Sequence, residues 1–408
     1  MRHTVKALAF VVIMVAGVRV AADDWPAFRG GGGQGHSSER NLPLEWGEER
    51  NIRWKTPVPG RGWSSPVVAN GRVWLTTATD EGTASLRLLA YDAITGEEVL
   101  NTEVFRVDET ASPNPKNSQA SPTPIVDGDR VFVHFGVHGT AALTTSGTVL
   151  WSTHFPYVTQ HGNGGSPLLH AGRLFLSSDG YDTAYVVALD AASGEEHWRT
   201  VRRDPVSQAY STPLAIRVGD ADQIFSIGAF RATAYDPDSG EEIWEVTYGQ
   251  GFSNVPAPVF GHGMVYVATG FQVPSLLAVR ADGRGNITGT HTAWTLRRGA
   301  PLTPSPLLVD DELYIVSDFG IATALDAQTG ETRWRERLGG NYSASPVFAD
   351  GRIYFQSEEG VTTVIAPGTD YRELATNRLD GTTLASMAVA DGAFFIRTHD
   401  HVYRIESE

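Results

Sequence analysis

A motif repeated eight times along the 408-residue chain constrains its fold more tightly than any overall property does. Each copy opens with a small residue, in all but one followed by Pro, runs through a short apolar stretch, turns at a Gly and resumes in a second β-rich stretch. The copies start at Ser65-Pro66, Ser121-Pro122, Ser166-Pro167, Thr212-Pro213, Ala257-Pro258, Ser305-Pro306, Ser345-Pro346 and Ser386-Met387, on average about 46 residues apart. Such a period signifies stacked or radially arranged units rather than a string of separate domains.

Within each copy the stretch after the Gly is β-branched and aromatic, as in Arg72-Val73-Trp74-Leu75 or Arg352-Ile353-Tyr354-Phe355, and no long 3.6-residue periodicity competes. A second turn follows at Asp92-x-x-Thr95-Gly96, Asp190-x-x-Ser193-Gly194, Asp236-x-x-Ser239-Gly240 and Asp326-x-x-Thr329-Gly330. Asp bonds to the backbone of such a turn and Gly supplies its positive φ. Trp151, Trp198, Trp244 and Trp334 each stand four residues beyond a turn Gly. Leu100 takes that place in the first copy, Trp294 arrives after an inserted loop, and Leu374 is the expected counterpart in the seventh. One wide aromatic per copy reads as a wedge between neighbouring sheets.

Two hairpins per copy predict an all-β fold, an eight-bladed β-propeller of four-stranded antiparallel blades. The last copy, from Ser386 to Glu406, holds only three strand-like runs. The missing Trp-bearing strand is at the other end, Asn51 to Pro57 with Trp54. Pairing of that N-terminal strand with the last blade closes the ring and removes an open edge.

The flanks follow. Arg2 and Lys6 precede an apolar run from Ala7 to Val18, with small residues Ala21-Ala22 before Asp23, so residues 1–22 are expected to be a cleaved signal peptide. The protein is then exported, periplasmic or extracellular, with no transmembrane segment left. Residues 23–50 form an N-terminal extension or linker and 51–408 the propeller. Gly30-Gly31-Gly32-Gly33-Gln34-Gly35 matches G-x-G-x-x-G without the flanking strand and helix of a dinucleotide site, and reads as flexible linker. A net charge of −15 argues against nucleic acid as partner. With no Cys, thiolate metal sites, disulfides and a lipidated N-terminal Cys are excluded.

The run Ala324-Leu325-Asp326-Ala327-Gln328-Thr329-Gly330-Glu331-Thr332-Arg333-Trp334 resembles the pyrroloquinoline quinone (PQQ)-like propeller repeat. That repeat occurs in PQQ-dependent alcohol dehydrogenases and in BamB, a scaffold lipoprotein of outer-membrane barrel assembly. Asp24-Trp25-Pro26-Ala27-Phe28-Arg29-Gly30 is similar to the start of a group of secreted bacterial proteins with this repeat. The resemblance implies the architecture and leaves activity open. The dehydrogenases are longer and many carry a vicinal disulfide, and BamB carries a lipidated Cys; this chain has neither.

Sequence motifs for chemistry are few. His399-Asp400-His401 and Asp236-Pro237-Asp238 have ligand-like residues but fall at hairpin turns, so no metal site is expected there. In a propeller the first strand of each blade is innermost, and the segments leading into it converge on the central channel. Here they supply Arg61, Trp63, Lys116, Asn117, His161, Asn163, Tyr210, Asn254, Asn341 and Tyr342. Aromatic faces, amides and a few cations suit a small polar or planar ligand. These segments contain almost no Asp or Glu, which a quinone dehydrogenase would use for Ca²⁺ and as its base. The expectation is a non-catalytic, monomeric binding propeller whose ligand is a small molecule, a glycan or a protein. The alternatives are a PQQ- and Ca²⁺-dependent dehydrogenase and a BamB-like assembly scaffold.

Overall fold

The computed structural model describes residues 24–80, 83–108 and 114–407; the expected signal peptide lies outside them. Eight sheets stand around one axis, seven of them with their strands in sequence order from the channel outward, and innermost strands of neighbouring blades touch, as those of blades 8, 1 and 2 do. Seven blades are continuous in sequence. The eighth takes Ala388–Ala390, Ala393–Arg397 and His401–Glu406 from the C-terminal end and Ile52–Pro57 from the N-terminal end. The ring closes as the strand count requires. Blade 4 gains a short parallel fifth strand, Gly285–Asn286, from the loop inserted before Trp294.

Trp and turn prove to be halves of one joint between blades. Asp92, Asp190, Asp236 and Asp326 each accept the backbone N–H groups two and three residues on. The N–H of the Thr or Ser three residues on is the main cause holding each carboxyl below its ordinary pKa. The turn Gly then receives the Trp of the preceding blade. A Cβ at Gly194 would stand 2.5 Å from the Trp151 ring and one at Gly330 2.6 Å from Trp294. The indole N–H completes the contact, Trp54 donating to Ala93 O, Trp151 to Ala191 O, Trp198 to Pro237 O and Trp294 to Ala327 O, at 3.0–3.1 Å.

Two register expectations are corrected. Blade 2 begins at Thr123-Pro124, directly before Ile125–Asp127, and not at Ser121-Pro122, whose serine belongs to the preceding loop. In blade 7 the Trp place opposite Val364 is taken by Ala375 rather than Leu374, because the turn between the third and fourth strands is one residue longer there than in blade 6.

The correct frame exposes a second joint, a crown of hydroxyls around the channel. Ser65 N–H donates to Thr123 Oγ1, Thr123 N–H to Ser166 Oγ and Ser166 N–H to Thr212 Oγ1, each at 2.9 Å. The series resumes with Ala257 N–H to Ser305 Oγ, then Ser305 to Ser345, Ser345 to Ser386 and Ser386 back to Ser65. It lapses only between Thr212 and Ala257, where the repeat has no hydroxyl. A small hydroxyl residue before Pro is therefore an inter-blade acceptor for a buried N–H.

Residues 24–50, read as extension or linker, are built into the ring. The inner edge of each innermost strand faces the channel, and this segment pairs with those edges in turn. Trp25 and Val68 exchange backbone hydrogen bonds, Val126 N–H donates to Pro26 O, Gln34 bonds Phe260 through both amide atoms, and Gly35 and Ser37 bracket Phe348. Trp25, Leu42 and Trp46 are buried in the core shared by blades 7, 8 and 1. The Gly-rich stretch is this segment's crossing of the channel. Gly30, Gly33 and Gly35 have φ of 82°, 67° and 80°, which L side chains rarely adopt.

Candidate functional site

In an up-and-down blade the loop entering the first strand and the hairpin joining the second and third strands lie on the same face. On that face the structure has an open cavity of about 1030 Å³. Its waist is the hydroxyl crown, Ser65, Thr123, Ser166, Thr212, Ser305, Ser345 and Ser386, and its floor is Phe28 of the N-terminal segment. Phe28 also borders a second cavity of about 460 Å³ in the other half of the channel, under blades 3 and 4. It partitions the channel. Beside it Arg29 is fully buried, its guanidinium donating to Gln34 O and Pro306 O at 2.9 and 2.7 Å with no ion-pair partner among the described residues, and burial lowers its pKa to about 9.

Six of the ten residues expected from the sequence line the main cavity: Trp63, Lys116, Asn117, His161, Tyr210 and Asn341. Asn117 donates to His161 O at 2.5 Å and accepts from Ser118 N–H, which ties the loops entering blades 2 and 3 together. Lys116 reaches Glu358 of blade 7 at 2.7 Å. The other four residues sit elsewhere. Arg61 is exposed and holds Pro115 O at 2.9 Å. Asn254 is completely buried, with its amide donating to Gly228 O and accepting from Gly270 N–H. Tyr342 is packed in the core between blades 6 and 7. Asn163 borders a separate cavity of about 210 Å³ with Tyr157 and His138.

The hairpin tips contribute what the entry segments alone do not show. Tyr181, Phe271 and Phe319, from blades 3, 5 and 6, line the cavity while remaining 46%, 56% and 71% exposed. No other Phe, Tyr or Trp of the described residues is as open to solvent. Their sequence signal is an aromatic beside the Gly of the second hairpin: Gly180-Tyr181, Gly270-Phe271 and Phe319-Gly320. Asp318 and Glu358 also arrive on these tips, so the cavity does contain carboxylates. Both are engaged. Asp318 accepts the N–H of Leu302 at 2.7 Å, and Glu358 accepts from Lys116 and from Ser343 Oγ at 2.6 Å.

The mouth therefore has two sides. Around blades 3 to 6 it is aromatic; at blades 7 and 8 its tips carry Glu358, Glu359, His399 and Asp400. On the aromatic side Tyr181 is held by its hydroxyl, which donates to Gln160 Oε1 at 2.9 Å and accepts from Gln208 Nε2 at 2.7 Å, while Tyr210 donates to Gln208 Oε1. The ring is pinned at one end with its faces open. His399, from the final hairpin, tilts against Trp63 at 5.8 Å and bonds Asp400.

A quinone held through Ca²⁺, which the dehydrogenases with this repeat imply, needs several oxygen ligands and an uncommitted carboxylate. Among the described residues no three His, Asp or Glu side chains gather as such a shell, and the cavity's carboxylates are already bound to lysine, serine and backbone. The donors present do not fit that group.

At the level of fold the chain is similar to the BamB structure from Moraxella catarrhalis, with a TM-score of 0.60 and 13% identity over 87% of this chain and 99% of that one. It is also similar to a europium-containing methanol dehydrogenase, with TM-score 0.65 and 10% identity over 93% and 90%. A quinohemoprotein alcohol dehydrogenase from Pseudomonas putida HK5 aligns with TM-score 0.64 and 12% identity over 94% and 80%. No protein of curated function matches by sequence. The family model described as outer membrane protein assembly factor BamB matches residues 46–179, 138–225 and 284–384, well over half of the chain, and with the eight-bladed fold this places the protein in the PQQ-like propeller family.

Proposed function

We propose that this protein is an exported, non-catalytic propeller that binds a ligand in the channel cavity. The observation that carries the reading is the composition of that cavity: exposed aromatics at its rim, a closed floor at Phe28, and carboxylates engaged by neighbouring groups. Concave sites with apolar walls and a few convergent polar groups are the usual form of small-ligand pockets. A general base would need an uncommitted carboxylate or imidazole aimed at a substrate proton; the cavity's carboxylates are engaged, and its one imidazole among the described residues, His161, packs against the Tyr210 ring at 6.5 Å. Trp63, Lys116, Asn117, His161, Tyr210 and Asn341 are the sequence-derived residues that the reading retains.

The test is incubation of the purified protein with PQQ and Ca²⁺, following quinone absorbance, thermal stability and dye reduction with alcohols and sugars. The expected result is no dye reduction; turnover that survives repurification would overturn the non-catalytic reading in favour of a dehydrogenase. The family match favours a second reading, a scaffold in outer-membrane protein assembly. That reading expects co-purification with barrel proteins under assembly, and loss of the complex on changing rim residues Phe271 and Phe319.

A further inference from the structure

We infer that the occupant of the cavity is a neutral oligosaccharide, an inference that rests on the ligand-binding reading above. Four observations converge on that class. The first is the hydroxyl crown. Each of its seven oxygens lines the cavity, and each accepts a backbone N–H from the neighbouring blade. Spent as an acceptor toward the wall, each hydroxyl keeps its own O–H to donate. A ring of such donors matches a ligand rich in oxygen acceptors.

The second is the aromatic side of the mouth. Tyr181, Phe271 and Phe319 expose their rings over the cavity, and Tyr181 is pre-oriented by Gln160 and Gln208. Pyranose rings present C–H faces that pack flat on aromatic rings, and a platform already fixed in place loses little entropy on binding. The third is a pair of planar amides lining the cavity, Gln160 and Asn341, whose Nε2 and Oδ1 respectively have no partner among the described residues, while Asn117 and Gln208 are spent on holding the wall. An amide donates and accepts side by side, as vicinal sugar hydroxyls do.

The fourth is charge. The lysine in the cavity is neutralised by Glu358, and Arg61 is turned to Pro115, so no unpaired Lys or Arg among the described residues lines the cavity to recognise a phosphate or carboxylate. A strongly anionic ligand would meet an acidic protein without a compensating cation. At about 1030 Å³ the cavity is at the upper end of small-ligand pockets, so it has room for several sugar units.

The test is isothermal titration calorimetry and tryptophan emission on the full protein with neutral cello-, malto-, xylo- and chito-hexasaccharides at millimolar concentration. Tyr181→Ala, Phe319→Ala and PQQ as a non-sugar probe complete the design. Binding of at least one hexasaccharide, weakened about tenfold by either variant with the melting temperature unchanged, is the expected result. Sugar binding unaffected by both variants would overturn the placement in this cavity. Binding of PQQ or members of a small aromatic library, lost in the same variants while no sugar binds, overturns the saccharide class and leaves the ligand cavity standing. If neither sugars nor aromatic probes bind, the ligand-binding reading falls with it.

Discussion

The two ends of the channel are built from the same repeat and behave differently. At one end, residues 25–37 pair with the free edges of inner strands, residues 42–48 run on across blades 7 and 8 as far as Asn377, and Trp25 and Trp46 are buried. At the other, entry loops and hairpin tips stand apart around an open cavity with Phe271 and Phe319 in solvent. The lesson concerns symmetry. Eight similar blades alone would make a through-channel, and a single non-repeating segment converts it into a closed-bottomed cup with one face free to bind.

Deleting residues through Gly60 removes the sealing segment together with the Ile52–Pro57 strand that closes blade 8. No folded monomer is expected, read by size-exclusion chromatography and near-ultraviolet circular dichroism; a well-folded monomer would show that ring closure is dispensable. Next in size is Trp46→Ala at the sealed end. Trp46 is stacked against Tyr354 and packed on Phe394, and its loss should cost about 3–5 kcal/mol in urea unfolding. Phe319→Ala at the open end should shift stability by no more than about 0.5 kcal/mol. Equal effects at the two positions would erase the distinction between core and binding surface.

A comparable effect is pH-dependent. His134 is buried in blade 2, bonded to Thr140 Oγ1 at 2.8 Å, and burial lowers its pKa from 6.5 to about 4. The folded state thus binds fewer protons than the unfolded state between those values. The stability conferred by a neutral His134 is complete above pH 6.5 and is lost as pH falls toward 4, by about 3 kcal/mol in all. Asp179 works in the opposite sense. Burial pushes its carboxyl up to about 6 against the pull of Arg202, 2.7 Å away, so its share of stability falls as pH rises from 3.8 to 6. His134→Gln should therefore flatten the acid side of the stability profile, measured by denaturant midpoints from pH 7 to 4.

The crown carries smaller effects than the core. Ser345→Ala removes the acceptor of Ser305 N–H and should cost about 1–2 kcal/mol. Ala257→Ser would supply the missing link after Thr212 and should gain about 0.5–1 kcal/mol, read as an increase in the urea midpoint. A loss instead would mean that the lapse between blades 4 and 5 accommodates another contact.

The ring itself was legible because its determinants are local and repeated: turn Asp, turn Gly, wedge Trp and the small residue before Pro recur where the blades need them. The failures are equally specific. Thr123 was hidden by a nearby Ser-Pro with the same local chemistry, and Ala375 by a turn one residue longer than its counterpart in blade 6. The Gly-rich stretch looked like linker because its partners, Phe260 and Phe348, are more than two hundred residues away. Of the site, the entry loops were visible as interruptions of the repeat, whereas Tyr181, Phe271 and Phe319 looked like ordinary turn neighbours until hairpins of different blades converged.

Sequence by itself determined the class of fold, the number of blades, the strand that closes the ring and the joints between sheets. Those follow from interactions within one repeat or between a repeat and its identical neighbour. Tertiary structure decided which end of the channel is sealed, which side of the mouth is aromatic, and that Asp318 and Glu358 are spent rather than free. These depend on bringing together residues from different blades, and distance along the chain carries no record of which unlike parts the closed ring makes neighbours.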